Sequence, residues 1–212
     1  MKKLLLSLIV LCTITYASAQ EEAIRFGAKA GINFANLTGD VEDNEMKIGF
    51  NVGAVVEIPV SDAFAVQPEL LFSTQGTKFE FSEDSFSSES ELKLNYLNLP
   101  IMAKYYVAEG FSIQAGPQIG FLVGGEQTST TTETFGGITT TVESERDAKD
   151  FAKTIDFGLN FGLGYQLENG LFFDARYNLG LTNIIDDEED EEDDDDTELK
   201  NSVIAISIGF KF

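Results

Sequence analysis

Hydrophobic and polar residues alternate one by one along most of this chain. In IRFGAKAGINF, Phe26, Ala28, Ala30, Ile32 and Phe34 fall on one side, with Arg25, Gly27, Lys29, Gly31 and Asn33 on the other. In IGFNVGAVVEI, Ile48, Phe50, Val52, Ala54, Val56 and Ile58 stand opposite Gly49, Asn51, Gly53, Val55 and Glu57. A period of two belongs to a strand with two unlike faces. No window of helical length shows a clean 3.6-residue period. The alternation recurs in AFAVQPELLF, LKLNYLNLPIMAKYY, FSIQAGPQIGFLV, TIDFGLNFGLGYQL, LFFDARYNLGLT and NSVIAISIGFKF, which makes eight predicted strands. In the fourth, the apolar side changes parity near Tyr96, and the pattern predicts a β-bulge there.

The connections alternate too. Long polar segments at 35–47, 73–91, 124–153 and 183–200 take turns with tight ones, PVSD at 59–62, VAEG at 107–110 and ENG at 168–170. Strands of about ten residues, short turns at one end and long loops at the other describe a membrane-crossing barrel. The predicted fold is therefore all-β, an eight-stranded antiparallel up-and-down transmembrane β-barrel, with both termini at the short-turn end. Pro68, Pro100 and Pro117 lie inside strands, where proline removes a ladder bond, and are expected to mark local bulges. FGG at 135–137 is a candidate hairpin tip.

A soluble barrel of the same strand number is the structural rival, and the character of the faces separates the two. A soluble barrel fills its interior with apolar side chains and turns its charges outward. Here the bulky face is nearly free of charge along all eight strands. The other face carries glycine, asparagine, glutamine and scattered ions, namely Arg25, Lys29, Glu57, Glu69, Asp156, Asp174, Arg176 and Lys211. Small residues with ions of both signs suit a narrow polar lumen. Buried ions need partners, so Arg25 or Arg176 is expected to pair with Glu69 or Asp174. Phe34, Phe64, Tyr105, Phe111, Tyr165 and Phe212 sit at strand ends, where aromatic girdles belong; there is no Trp to share that task.

Composition narrows the function. Lys2 and Lys3, the apolar run from Leu4 to Leu11 and Ala17-Ser18-Ala19 form a secretory signal peptide over residues 1–19, leaving 20–212 as the barrel domain with Gln20 first. The apolar run is too short to cross a bilayer as a helix. Cys12, the single cysteine, falls inside the signal after Leu11, where a lipoprotein would carry a small residue. The mature chain then reaches an oxidising compartment with no disulfide to form. The net charge of -22 argues against nucleic acid, whose phosphates need clustered Lys and Arg. With no histidine, the usual general base and the commonest metal ligand are both missing.

VQPELLFSTQG (66–76), YLNLPIMAKYY (96–106), AGPQIGFLVGG (115–125) and DARYNLGLTNI (174–184) together resemble the small outer-membrane β-barrel proteins of Bacteroidetes-type bacteria, the porin-like, PorT-like barrel family. The resemblance spans nearly the whole mature chain and implies an outer-membrane location. It also implies that the ending GFKF, with Phe212 last, is read by the barrel-assembly machinery.

Two segments invite a chemical reading. Residues 186–198, DDEEDEEDDDDTE, hold twelve carboxylates in thirteen positions. They lack the glycine and spacing of an EF-hand loop, so a solvated, self-repelling loop that binds divalent ions weakly and diffusely is expected. TSTTTETFGGITTT is rich in hydroxyls but has no histidine to activate a nucleophile. The sequence therefore predicts no catalytic, cofactor or metal residues and no cofactor. It predicts a monomeric barrel in outer-membrane lipid with a structural or surface-interaction role carried by its long loops. A narrow porin-like channel for small solutes or ions is the alternative, and a lipid-modifying enzyme a distant third.

Overall fold

The computed structural model describes residues 23–41, 44–83, 86–185 and 198–212. The signal segment over 1–19, and all of the acidic run except Glu198, lie outside them. The strands are β1 (Arg25–Gly39), β2 (Asn44–Ser61), β3 (Phe64–Glu83), β4 (Phe86–Ala108), β5 (Phe111–Phe135), β6 (Ile138–Asp147), β7 (Ile155–Gln166), β8 (Leu171–Gly180) and β9 (Leu199–Lys211). Every pairing is antiparallel. β1 bonds to both β2 and β9, and β5 bonds to β7, so eight strands close a ring. Closure leaves no open edge inside the bilayer, where an unpaired N–H or C=O would find no water. The ninth strand, β6, comes from within the 124–153 connection and pairs with the upper half of β5.

The two faces are as the alternation predicts. Phe26, Ile32, Phe50, Phe157, Ile206 and Phe210 are about half exposed on the outside, while Lys29, Asn33, Asn51, Asn160 and Ser207 are buried inside. β1 begins and β9 ends at the end that also carries the short turns at 62–63, 109–110 and 167–170.

The predicted bulge is present but belongs to the neighbouring strand. Asn95 pairs with Gly124 and Tyr96 with Leu122, so Val123 of β5 is the extra residue. β4 keeps one parity throughout: Leu92, Leu94, Tyr96, Asn98, Pro100, Met102 and Lys104 are all buried. What changes near Tyr96 is the lumen, polar below and apolar above, and a single strand cannot distinguish that from a change of face.

Pro68, Pro100 and Pro117 make no bulge, whereas the ladder shifts register between Pro59 and Ser61 at the end of β2. Across β2–β3, β3–β4 and β4–β5 the pairing lapses for two residues beside Pro68, Pro100 and Pro117, then resumes in phase. Each missing N–H removes a bond, but continuous pairing on both sides holds the register. Pro68 pairs with Ile101 and Pro100 with Gln118, so the lapses neighbour one another across the sheet.

β3, β4, β5 and β6 continue past the ring as a four-stranded sheet on the long-loop side. Its tip is a two-residue turn in which Gly136 and Gly137 have φ of 61° and 81°, values glycine adopts freely and a type I′ hairpin requires. Cross-strand hydroxyl bonds join Thr132 to Thr141 at 3.1 Å and Thr134 to Thr139 at 3.0 Å. At its base Lys47 donates to Glu91 at 2.5 Å, and with Lys78 alongside holds that carboxyl below its ordinary pKa.

Candidate functional site: the barrel interior

Four layers fill the lumen between the short turns and the outer rim. In the lowest, Glu57 of β2 receives Lys104 of β4 at 2.6 Å, Lys211 of β9 at 2.5 Å and the Tyr106 hydroxyl at 2.8 Å, all on Oε2. Arg25 reaches Oε1 at 3.7 Å from the mouth, its side chain partly exposed. Below them a vestibule of about 420 Å³ opens between the turns, lined by Arg25, Glu57, Asp62, Tyr106, Glu109 and Glu168 among others.

The second layer is a four-ion cluster. Arg176 of β8 grips Glu69 of β3 with two bonds, Nη1 to Oε2 at 2.9 Å and Nη2 to Oε1 at 2.7 Å. This is the fork geometry in which guanidinium and carboxylate match best. Lys29 of β1 lies 3.0 Å from Glu69 and 3.4 Å from Asp174, and Arg176 Nε lies 3.2 Å from Asp174. Two cations and two carboxylates, all buried, balance one another. Gln67 ties this layer to the first, donating to Glu69 at 2.6 Å and accepting from Lys104 at 3.3 Å. Removing one member would leave the others buried and incompletely paired, at a cost of about 3–5 kcal/mol.

A third, amide layer follows. Asn33 donates to Ser73 at 2.9 Å, Asn51 to Asn33 at 2.7 Å and Ser207 to Asn51 at 3.3 Å. Asn178 donates to Asn160 at 3.2 Å, and Asn160 to Gln118 at 3.1 Å. A cavity of about 40 Å³ between these residues and the ion cluster has room for a few waters. Above it Asp156 of β7 accepts from Asn201 of β9 at 3.0 Å, with no cation among the described residues within ion-pair distance.

The fourth layer is apolar. Leu37, Leu92, Leu94, Tyr96, Leu122 and Ile184 meet inside the outer rim, with Ala148 of a short 3₁₀ turn (Ala148–Asp150) and Ala152 just after it inserted among them. Ala152 bridges to Ile185, and Lys153 donates its backbone N–H to Ile184 at 2.7 Å, fastening the turn across the mouth. The lumen is thus closed at its outer end by a hydrophobic plug.

Of the ions the sequence singles out, Arg176 meets both predicted partners. Arg25 meets neither and leans on Glu57 instead. Lys29, Glu57, Glu69, Asp174 and Lys211 join the paired network, while Asp156 stands apart in the amide layer. Sequence reasoning missed Lys104, although its position between outward-facing Ala103 and Tyr105 was signal enough. It also missed the plug, because inward Leu92, Leu94 and Tyr96 read as an outward face. Among the described residues no group of three or more carboxylates gathers at one point. The hydroxyls of the outer hairpin bond one another across the ladder.

Comparison with known proteins adds the following. The family model described as outer membrane protein beta-barrel domain matches residues 18–186. None of the curated proteins matches the sequence. Among solved structures the chain is similar to Neisserial surface protein A, with 11% identity over 90% of this chain and 100% of that one at a TM-score of 0.49. It is also similar to Ail, the attachment invasion locus protein of Yersinia pestis, with 12% identity over 89% and 98% at a TM-score of 0.44. A third is CarO of Acinetobacter baumannii, with 12% identity over 87% and 97% at a TM-score of 0.44. With identities and scores this low, it is the family match that assigns the chain. It covers most of the sequence, and the closed ring, apolar exterior and ion-paired interior agree with it: the chain belongs to the outer membrane protein β-barrel domain family.

Proposed function

We propose that the protein is a closed, non-catalytic outer-membrane barrel whose work is done by the sheet and loops it holds outside the cell. The observation that carries this reading is the interior itself, where a buried cluster of two cations ion-paired with two carboxylates lies beneath a hydrophobic plug. Such a lumen supports the outer segments and offers no water path. Planar-bilayer recording tests it: the folded protein is expected to give no discrete conductance steps, and steady steps would favour the narrow channel instead.

We further infer that within its family the chain sits with the small PorT-like barrels of Bacteroidetes-type bacteria, on the strand sequences VQPELLFSTQG, YLNLPIMAKYY, AGPQIGFLVGG and DARYNLGLTNI. It is exported by a signal cleaved before Gln20 and recognised by the assembly machinery through β9 and Phe212. The Phe212 ring packs on Phe210 at 6.0 Å and is itself exposed. Fractionation with N-terminal sequencing checks both steps. The outer-membrane band is expected to begin at Gln20 and to be depleted when Phe212 is deleted.

A further inference from the structure

β6 pairs with β5 along its whole length, Glu126 with Asp147 through Phe135 with Ile138, in an unbroken register. Its other edge faces no described strand. Strand edges exposed to water are normally guarded by proline, lysine, a bulge or shortness. β6 has none of these: ITTTVESERD is ten residues long, without proline, lysine or an irregularity in its ladder. The charged side chains that also guard edges are three acids to one base, Glu143, Glu145 and Asp147 against Arg146, which repel another acidic strand but not a basic one. All ten residues are exposed, so a row of backbone N–H and C=O groups lies open on the cell surface.

The two faces of this strand differ. Ile138, Thr140 and Val142 lie on the side that continues the lumen-facing surface of β4 and β5, alongside Phe135 and the Phe81–Phe86 ring pair at 6.2 Å. Glu143, Glu145 and Asp147 lie on the opposite side, which continues the lipid-facing surface and carries Glu89 and Glu91 of β4. Ser144 and Arg146 share the first side, so it is apolar toward the tip and polar toward the base. A strand added at this edge would set alternate side chains over this largely uncharged face and over the acidic one in turn.

We propose that the free edge of β6 takes an extended peptide segment of another protein as a further strand, and that this segment alternates apolar with basic residues. The proposal rests on the reading that the outer segments carry the function. Charge selects the occupant. A second copy of this chain brings the same acidic strand and a net charge of -22, whereas Lys or Arg at every second position meets Glu143, Glu145 and Asp147. Main-chain bonds supply affinity that does not depend on sequence, and the alternation supplies the choice of partner.

The test uses the full mature chain folded in lipid nanodiscs and fluorescent ten-residue probes of valine and lysine. One alternates strictly, one has the same composition in two blocks, and two alternate but carry backbone N-methyl groups on one phase of residues each. The alternating probe is expected to bind best. The block probe and one N-methyl probe are expected to bind at least about tenfold more weakly, roughly 1.4 kcal/mol, because ladder bonds or side-chain register are lost. The doubly substituted Glu143→Lys/Glu145→Lys protein, changed only at exposed positions, should lose the alternating probe while keeping its heat-dependent gel shift. Equal binding of all four probes would reduce the effect to adsorption on a charged surface and overturn the proposal. So would β6-dependent dimers in sedimentation, which would show the edge to be taken by a second copy. The conductance recording separates the two failures: a silent barrel that ignores the probes sinks this inference alone, and a conducting one sinks the reading beneath it.

Discussion

Arg176 shows what a single buried ion does in this barrel. It is 6% exposed and forks onto Glu69 while its Nε faces Asp174. Arg176→Met leaves two carboxylates sharing Lys29, and is expected to cost about 3–5 kcal/mol. Glu69→Gln alone leaves the guanidinium half-paired and should be costly too. Made together, the two changes remove one charge of each sign. The pair is expected to cost clearly less than the sum of the singles, with a coupling of about 1–3 kcal/mol. The chain has no Trp, so the folded fraction in urea is best followed by the heat-dependent gel shift in a double-mutant cycle. Simple additivity would show that the fork contributes geometry without energy. That Arg176 would pair was legible in the sequence, since alternation puts it inside with Glu69 and Asp174. Alternation gave no means of preferring Arg176 over Arg25, because that choice depends on height along the barrel axis. Arg25 starts β1 at the mouth, whereas Arg176 sits in mid-strand opposite Gly162.

Among the strands, the long β5 carries two kinds of structure. Below Val123 it is a wall of the barrel, pairing with β4 and β7; above, it pairs with β4 and β6 in water. The upper part owes nothing to the lumen, so replacing 127–146 with a short Gly-rich turn is expected to leave the barrel folded and heat-modifiable. Loss of the gel shift would mean that the outer sheet is needed to form the ring. The two parts were not equally legible in the sequence. Strand existence and facing within the bilayer followed from apolar residues at every second position, because lipid demands them there. TSTTTETFGGITTT obeys no such demand. Water accepts either face of an outer strand, so only the paired glycines marked the turn and nothing marked its arms. The same blindness moved the bulge. Leu92, Leu94 and Tyr96 are apolar because the plug needs them, and a pattern that assigns every apolar residue to lipid puts the irregularity on the wrong strand.

Across the whole molecule the lumen has two seals in series, an apolar one at the outer rim and an ionic one near mid-barrel, with the amide layer and its small cavity between them. They fail for different reasons. Leu94→Ser with Tyr96→Ala would hollow the plug, yet Arg176, Lys29, Glu69 and Asp174 would still span the passage. Arg176→Ala with Glu69→Ala would open the ionic layer and leave the plug shut. An interior that eight strands make only wide enough for side chains conducts only when both of these bulky layers are thinned together. Either pair of changes alone is therefore expected to leave planar bilayers silent, and the four combined to give small steps, provided the gel shift shows a folded ring. Conductance from the plug variant alone would mean that the ion cluster is wet and permeable as it stands. The lumen would then be a gated pore, with the 3₁₀ turn at Ala148–Asp150 as its door. Silence from all four would mean that the two layers left untouched, the amides of Asn33, Asn51, Asn160 and Asn178 and the Glu57 layer beneath with Lys104 and Lys211, still close the passage, leaving the barrel no route through its centre and only its outer face with which to meet the environment.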